Sequence, residues 1–514
     1  MGKIDVSVIH GTRCWPSVDW ISPCEEACPI HMDIPGYVVA VSLGKFKEAM
    51  ESIRETNPLP SVCGRVCHHP CESACNRKHM DGPLAIRGLK RFVSDYAHAH
   101  SNNPIKPFEI TRSEKVAVIG AGPAGLTAAY DLARWGFPAV VFDSMTTPGG
   151  MMTKCIPDFL LPRKVLQKDI DYLVKKGVKI KTSMALGREI SLGALKDKGY
   201  KAFLIATGSH GSLDLTLPGR ELSGIEQAIS FLSETKDCTR ATESGRFLVI
   251  GGGNVAIDVA RVARRMGYRE VMLACLENRS EMPAFDWEVE AAVAEGVRTH
   301  FRLAPQRFLG ERRVAGVEFR RVEKFSRDAD GRLSWTLGEG PGSQFILDAE
   351  RVVIAIGQRP SGEDLERLGI TLPSDLSKLR ESAPATPLDG VFVAGDIVKP
   401  QGTIVEAISD GHRAAVAIAK YLGASDLDTP WDLRGKQAYI IDKKKLTGLI
   451  PLREPWDIPK LPVRSRIRSW EEVELGYSPF EAVQEGMRCL NCRMCANCII
   501  ERNQVCYEES LRLL

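Results

Sequence analysis

One pattern occurs twice in this chain, and it restricts the fold more than any other feature. KVAVIGAGPAGLTAAYDLARWGFPAVVFD, from Lys115, reads strand, glycine turn, helix, strand, and RFLVIGGGNVAIDVARVARRMGYREVMLACLE, 246–277, reads the same way. An apolar strand feeding a Gly-x-Gly turn and an amphipathic helix is a βαβ unit, because parallel strands need a crossover long enough to hold a helix. Two such units predict an α/β chain with two Rossmann-like dinucleotide-binding domains.

Each position in the first turn has its own task. Gly120 makes the tight turn, Gly122 lets the backbone approach a pyrophosphate, and Gly125 lets helix pack on strand, while Pro123 and Ala124 open the helix whose N-terminus faces the phosphate charge. Asp143 ends the following strand, where a carboxylate accepts from ribose hydroxyls. Gly251, Gly253 and Ala256 repeat this logic, with Asn254 and Val255 opening the second helix. The matching acid is Glu277, which would bond a 2'-hydroxyl and repel a 2'-phosphate, so the second site should prefer NAD(H); Arg279, two residues on, would be the group to rescue a phosphate.

Two further apolar strands, KAFLIATGS (201–209, with Ala206, Thr207 and Gly208) and RVVIAIGQRP (351–360, with Gly357), read as crossover points between the two domains. Gly395-Asp396 closes a buried strand, and Gly402-Thr403-Ile404 opens the next helix. There the Asp can hold a ribitol hydroxyl and the helix N-terminus can stabilise negative charge on a reduced flavin, so the first site is expected to hold FAD. Hydride transfer between nicotinamide and flavin needs position rather than proton transfer, so no general base is nominated.

These units lie within 514 residues, too many for one core. The expected order is a helical cysteine-bearing domain (1–108), an FAD-binding part (113–240), an NAD(H)-binding domain inserted into it (241–345), the rest of the FAD domain (346–422), an extended proline-punctuated arm (423–485) and a cysteine-rich tail (486–514). The 68 basic against 65 acidic residues give no field pointing to nucleic acid or membrane. No apolar run is long enough to cross a bilayer and the N-terminus lacks an export pattern, so a cytoplasmic location is expected.

In the reducing cytosol, 15 cysteines that cluster are expected to ligate metal rather than form disulfides. Cys14, Cys24, Cys28, Cys63, Cys67, Cys71 and Cys75 gather near the start, and Cys489, Cys492, Cys495, Cys498 and Cys506 near the end. Cys155, Cys238 and Cys275 stand alone and form no CxxC, which argues against disulfide-reductase chemistry.

CEEACPI (24–30), CGRVCHHPCESAC (63–75), GAGPAG, PGGMM (148–152), IPDFLLPR (156–163), GGGNVAID, EMPA and VAGD follow one another in an order that resembles the glutamate synthase small-subunit family. That family includes the N-terminal half of dihydropyrimidine dehydrogenase and the large subunit of ferredoxin-dependent transhydrogenases. The resemblance implies FAD at the first site, a nicotinamide dinucleotide at the second and two [4Fe-4S] clusters in the N-terminal unit. It also places Gly150, Met151, Ile156, Pro157 and Leu161 around the flavin.

Two departures matter. NADPH-using members carry Tyr-Arg-Arg where this chain has Cys275-Leu276-Glu277, which agrees with NADH. Members with two clusters carry RCLxC before the CxxxCP pair, whereas here only Cys14 precedes Cys24, and Lys90 stands where some members have a Gln or Glu ligand. The absent signature occurs at the other end, as Arg488-Cys489-Leu490-Asn491-Cys492. Either the tail holds its own cluster, the preferred reading and one that makes three, or the arm folds back and Cys489 with Cys492 complete an N-terminal one. Zinc, which also takes four thiolates, is a third possibility.

The expectation is an NADH-linked FAD/iron-sulfur oxidoreductase subunit in a hetero-oligomeric complex. Its partner would be a ferredoxin or a larger subunit such as a 2-oxoacid or aldehyde oxidoreductase. The alternatives are an NADPH-dependent glutamate synthase small subunit, an electron-bifurcating subunit, and a zinc-bearing scaffold without redox chemistry.

Overall fold

Prolines and small residues set where the N-terminal helices begin and how closely they pack. The computed structural model describes residues 20–100, 104–237, 243–328, 332–360, 386, 388–398, 402–432, 437–438 and 452–492, so Cys14, Cys238, Cys495, Cys498 and Cys506 lie outside the described residues. The first unit contains α1 (Ile34–Ser42), α2 (Phe46–Thr56), α3 (Pro60–Val66) and α4 (Ile86–His100). Both α1 and α3 carry proline in the first turn, where a missing amide hydrogen forfeits no helical bond. A Cβ on Gly64 would stand 2.7 Å from the Arg91 Cα, so glycine lets α3 lie directly on α4. The core of this unit is partly thiol: Cys28, Cys63, Cys67 and Cys71 are buried in one cluster with Val38 and Leu89.

The first nucleotide unit starts with β1 (Lys115–Ile119), α5 (Pro123–Arg134), β2 (Ala139–Phe142), β3 (Lys179–Lys181) and β4 (Tyr200–Ile205). The second comprises β5 (Ile225–Gln227), β6 (Arg246–Ile250), α6 (Asn254–Met266), β7 (Glu270–Ala274) and β8 (Val297–His300). An antiparallel sheet follows, made of β9 (Leu303–Gly310), β10 (Val314–Arg327), β11 (Leu333–Leu337) and β12 (Gln344–Asp348). Then come β13 (Arg351–Ile354), β14 (Val391–Val393), α7 (Ile404–Tyr421) and, in the arm, α8 (Pro479–Gly486).

The first parallel sheet has the order β14-β4-β1-β2-β3 and the second β8-β7-β6-β13-β5. Because β14 pairs with β4, with Val391 opposite Phe203, the second sheet is inserted into the first domain, as the sequence pattern predicts. The expected limits of the insertion, 241 and 345, fall inside its sheet: β5 pairs with β13, and β13 with β6, so its hydrogen bonds run from Ile225 to Ile354. Strands of three and four residues carry too little periodic signal to be assigned to one sheet or the other. The two crossovers pass through an antiparallel pair, with Gln358 opposite Ser212 and Arg359 opposite Gly211.

The described part of the arm from 452 is pinned to the rest of the chain. Glu472 meets Arg65 at 2.7 Å, Glu474 meets Arg87 at 2.7 Å, and the Val473 amide donates to the Phe159 carbonyl at 2.9 Å. A Cβ on Gly88 would stand 2.8 Å from Ile458, so this glycine of α4 makes room for the arm. Its Arg466 also approaches Glu295 of the inserted domain at 3.1 Å, and Glu295 is bonded to Arg265 at 2.7 Å and Arg261 at 2.9 Å. Burial works to raise the Glu295 pKa, but the hydrogen bonds from Arg265 and Arg261 outweigh it and bring it down to about 2. The carboxylate therefore stabilises the fold above the usual carboxylate range, and that contribution fades as the pH falls toward 2. Glu295→Ala is expected to cost about 3–5 kcal/mol, because it strands buried guanidinium groups without a counter-charge. Chemical denaturation at neutral pH measures this, and a cost below about 1 kcal/mol would show the cluster to be energetically idle.

Among the described residues no helix is long and apolar enough to cross a membrane.

Candidate dinucleotide and iron-sulfur sites

The C-terminal ends of β1, β2 and β4 and those of β6, β7 and β13 open into one cleft of about 1470 Å³. Open parallel sheets place their ligands at this edge, where glycine turns lead into helix N-termini. Gly120 adopts φ +113°, and a Cβ there would stand 2.2 Å from the Ala206 carbonyl oxygen, so the turn and the neighbouring strand end require a glycine. Gly125 does the packing expected of it: its Cβ would meet the Gly120 oxygen at 2.0 Å. The Asp143 carboxylate accepts from the Ala121 amide at 2.6 Å and the Met145 amide at 2.8 Å, which fixes it on the cleft wall beside Gly122.

Gly150 and Met151 bring a second loop against this turn; with φ +56° at Gly150, a Cβ would lie 3.0 Å from the Gly122 Cα. On the opposite side Thr403 caps α7, its amide donating to Glu406 at 2.8 Å and its hydroxyl accepting from the Glu406 amide at 3.4 Å. Gly411 lets α7 cross α5 closely, since a Cβ would stand 2.4 Å from the Ala124 oxygen. Gly395, Asp396, Gly402, Thr403 and Ile404 thus join Pro123, Ala124, Ile156, Ala206, Thr207 and Gly208 on one wall.

The other wall carries Gly251, Gly253, Asn254, Val255, Glu277 and Gly357. Glu277 is buried and lies against the glycine turn, its Oε2 2.9 Å from where a Gly252 Cβ would be. Five expected site residues are not on the cleft, Gly125 among them because it packs helix on strand. Leu161 and Ala256 are core residues, and Pro157 does not reach the lining. Arg279 turns to Asp286 at 2.7 Å, because that carboxylate at the start of the next helix is its nearest counter-charge.

Arg327 and Asp258 are among the cleft residues that escaped the sequence reading. Arg327 comes from β10, 50 positions from Glu277, and its guanidinium reaches the Glu277 carboxylate at 3.3 Å; no local pattern marks it. Asp258 is one helical turn beyond Asn254 in GGGNVAID, so its place on the same face was available from the i, i+4 spacing. Burial pushes its carboxyl up to about 7. Burial also pushes Cys155 up to about 11 and Cys275 up to about 12, and the Cys155 thiol faces Met151 rather than a second cysteine. Disulfide exchange lacks its thiol pair here among the described residues.

The cysteines form two sets. Cys28, Cys63, Cys67 and Cys71 surround Lys90, which is buried; burial lowers its pKa, but the charges of Cys67, Cys63, Cys71 and Cys28 outweigh that and raise it. Four thiols are a full ligand set, so Lys90 is not needed as a ligand. Cys24 and Cys75 lie apart from this set, and Cys489 and Cys492 of the arm lie beside them. Amide hydrogens are aimed at sulfur, from His69 to Cys67 and from Asn491 to Cys489, each at 3.4 Å, an arrangement that would stabilise a thiolate. Among the described residues no three His, Cys, Asp or Glu groups are gathered tightly enough for a single metal ion. A zinc ion holds its sulfurs at ~2.3 Å, whereas a cluster gives its thiolates a larger body to converge on.

Residues 114–415 match the pyridine nucleotide-disulphide oxidoreductase family, and residues 7–102 match dihydropyrimidine dehydrogenase domain II, 4Fe-4S cluster. The chain is 33% identical to the glutamate synthase [NADPH] small chain of Escherichia coli (strain K12), over 78% of this chain and 88% of that protein. It belongs to the glutamate synthase small-subunit-like family of FAD/NAD(P)/iron-sulfur oxidoreductases. It is also 36% identical to the NADPH-Fe(3+) oxidoreductase subunit beta of Geobacter sulfurreducens (strain DL-1 / KN400), over 92% of this chain and 75% of that one. A third relative, the NADP(+)-dependent formate dehydrogenase subunit beta of Moorella thermoacetica, is 35% identical over 92% of this chain and 70% of its own. Mycobacterium tuberculosis FprA in complex with NADPH shares the fold, with a TM-score of 0.51 at 18% identity over 73% of this chain and 100% of that one.

As a member of this family the chain is an oxidoreductase with FAD- and NAD(P)-binding domains and an N-terminal 4Fe-4S domain.

Proposed function

We propose that this chain is the NADH-linked electron-transfer subunit of a larger oxidoreductase, passing electrons between NAD(H) and a low-potential partner, a ferredoxin or an iron-sulfur enzyme subunit. The observation that carries the reading is the single cleft, in which both glycine turns and both strand-end acids face one space. Gly120, Gly122, Asp143, Asp396 and the capped end of α7 would hold FAD, while Gly251, Gly253 and Glu277 would hold the dinucleotide. Bound FAD supplies the exchange of an electron pair for single electrons, and thiolate-held clusters accept electrons singly. The chain orients the two rings, excludes water with the apolar walls from Met151, Ile156 and Ile404, and sets four thiols around Lys90 at the N-terminal exit.

NADH is supported by Glu277, whose buried carboxylate stands at the strand end that would face a ribose 2'-substituent. The relatives' names divide: most are named for NADPH or NADP, and a Salmonella typhi relative, 32% identical, is named an NAD-dependent dihydropyrimidine dehydrogenase subunit PreT homolog. NADPH is the second reading, favoured by Arg327 at the same strand end. The relatives named as subunits beta or small chains support membership in a complex.

Anaerobically purified protein is expected to show flavin absorption and a broad violet iron-sulfur band that bleach on adding NADH, with about eight irons per FAD for two clusters. Colourless protein, or one that NADH leaves unbleached, would defeat this reading.

A further inference from the structure

The arm carries RCLNC across the surface and delivers it to the N-terminal domain. Arg488 is the anchor. Its side chain is 1% exposed, and it donates to the Gly82 carbonyl at 2.8 Å, to Asp81 at 3.0 Å and to Glu485 at 2.7 Å. Arg77 completes the clasp by donating to the Arg488 carbonyl at 2.6 Å. A guanidinium buried this way, with each bond to a fixed acceptor, sets the position of the next residues in the chain.

Those residues are Cys489 and Cys492. Cys489 packs against the same apolar cluster as Cys24 and Cys75, and Cys489 and Cys75 lie close enough to Cys24 for their charges to act on its thiol. The Asn76 amide, next to Cys75, donates to the Cys492 sulfur at 3.3 Å across 416 positions of sequence. Asn491 takes φ +45°, which turns its own amide back to the Cys489 sulfur at 3.4 Å. The six described N-terminal cysteines divide between the two centres: four surround Lys90, and Cys24 and Cys75 are left facing the arm.

We propose that Cys24, Cys75, Cys489 and Cys492 together hold a second [4Fe-4S] cluster, with half of its ligands delivered by the C-terminal arm. This rests on the reading of the chain as an iron-sulfur oxidoreductase and goes beyond it, because it assigns the ligands and makes the arm a strap whose docking completes the site. The Arg-Cys-x-x-Cys element expected ahead of Cys24 reaches the same place from the opposite end of the chain. Cys495, Cys498 and Cys506 are then not ligands of this cluster, in contrast to a self-contained tail site.

Iron and acid-labile sulfide per FAD, measured on the anaerobically purified full chain, test this. Cys75→Ala and Cys489→Ala are each expected to lose about four irons, and the double variant the same four, because both thiols serve one cluster. A double variant that loses about eight irons while each single loses four would overturn the proposal, as would Cys489→Ala with no loss. The paired variant Cys495→Ala/Cys498→Ala is expected to keep its full iron, and a loss of about four there would return the cluster to the tail.

Should the Cys75 variant fail to fold, the unaltered protein gives the answer by alkylation and mass spectrometry. Cys489 and Cys492 are expected to resist iodoacetamide until the iron is stripped, while Cys495, Cys498 and Cys506 label at once; joint protection of Cys489 with Cys495 and Cys498 overturns the assignment. About one zinc in place of four irons would also overturn it. FAD content and bleaching by NADH, read on the same unaltered preparation, decide the proposed function separately.

Discussion

Gly120→Val is expected to leave the protein without FAD, with flavin absorption per chain falling at least tenfold and much of the product insoluble. The glycine is required twice over. Its φ of +113° is closed to a β-branched residue, and a Cβ would meet the Ala206 carbonyl at 2.2 Å, which is backbone on a neighbouring strand and cannot swing aside. Strain and overlap together cost roughly 3–5 kcal/mol, a large share of a domain's stability. They also displace the amides that would face the pyrophosphate. Gly122→Ala is the contrast, since nothing lies within 4 Å of a Cβ there and φ is ordinary. It should fold normally and lose flavin affinity only. Flavin released from purified protein by heat measures both, and full flavin in the Gly120→Val protein would refute the role of the turn.

Glu277→Arg is expected to swing the ratio of kcat/KM for NADH over NADPH by about 100-fold toward NADPH, ~2.7 kcal/mol of relative transition-state binding. The wild-type carboxylate lies over Gly252 and repels a 2'-phosphate; an arginine would attract one and, beside Arg327, would gain from it. Steady-state rates with each nucleotide and a one-electron dye acceptor measure the ratio. Arg327→Ala separates the two readings of this strand end: under NADH selectivity it leaves the preference for NADH in place, whereas under NADPH selectivity it lowers NADPH turnover specifically. An unchanged ratio in the Glu277 variant would remove the electrostatic basis for NADH.

The difference between the expected and observed parts follows the range of the interactions. Gly120, Gly251, Asp143 and Glu277 belong to contiguous strand–turn–helix–strand units, so each has a place that its neighbours in sequence dictate. Thr403 was legible for the same reason, as part of a stretch that opens a helix; that it caps this helix with Glu406, three residues on, is shown by the structure. Arg327 was not, because it enters the cleft from a separate antiparallel sheet whose strands show weak alternation. Arg279 was misplaced because Asp286, across a loop, competes for its guanidinium. The limits of the inserted domain shifted because β5 and β13 are three and four residues long and acquire their partners only in the assembled sheet.

By itself the sequence determined that this chain builds two dinucleotide folds, one within the other, and that most of its cysteines gather near its two ends. Local turn geometry and the clustering of cysteines are properties of short stretches. Which thiols lie near one another was decided only by tertiary structure. Cys75 and Cys489 are brought together by the whole path of the chain, through Arg488 buried against Gly82 and through the ion pairs of the arm with Arg65 and Arg87. A contact of that range depends on the summed packing of every element between its ends, so no pattern within a window of residues can express it.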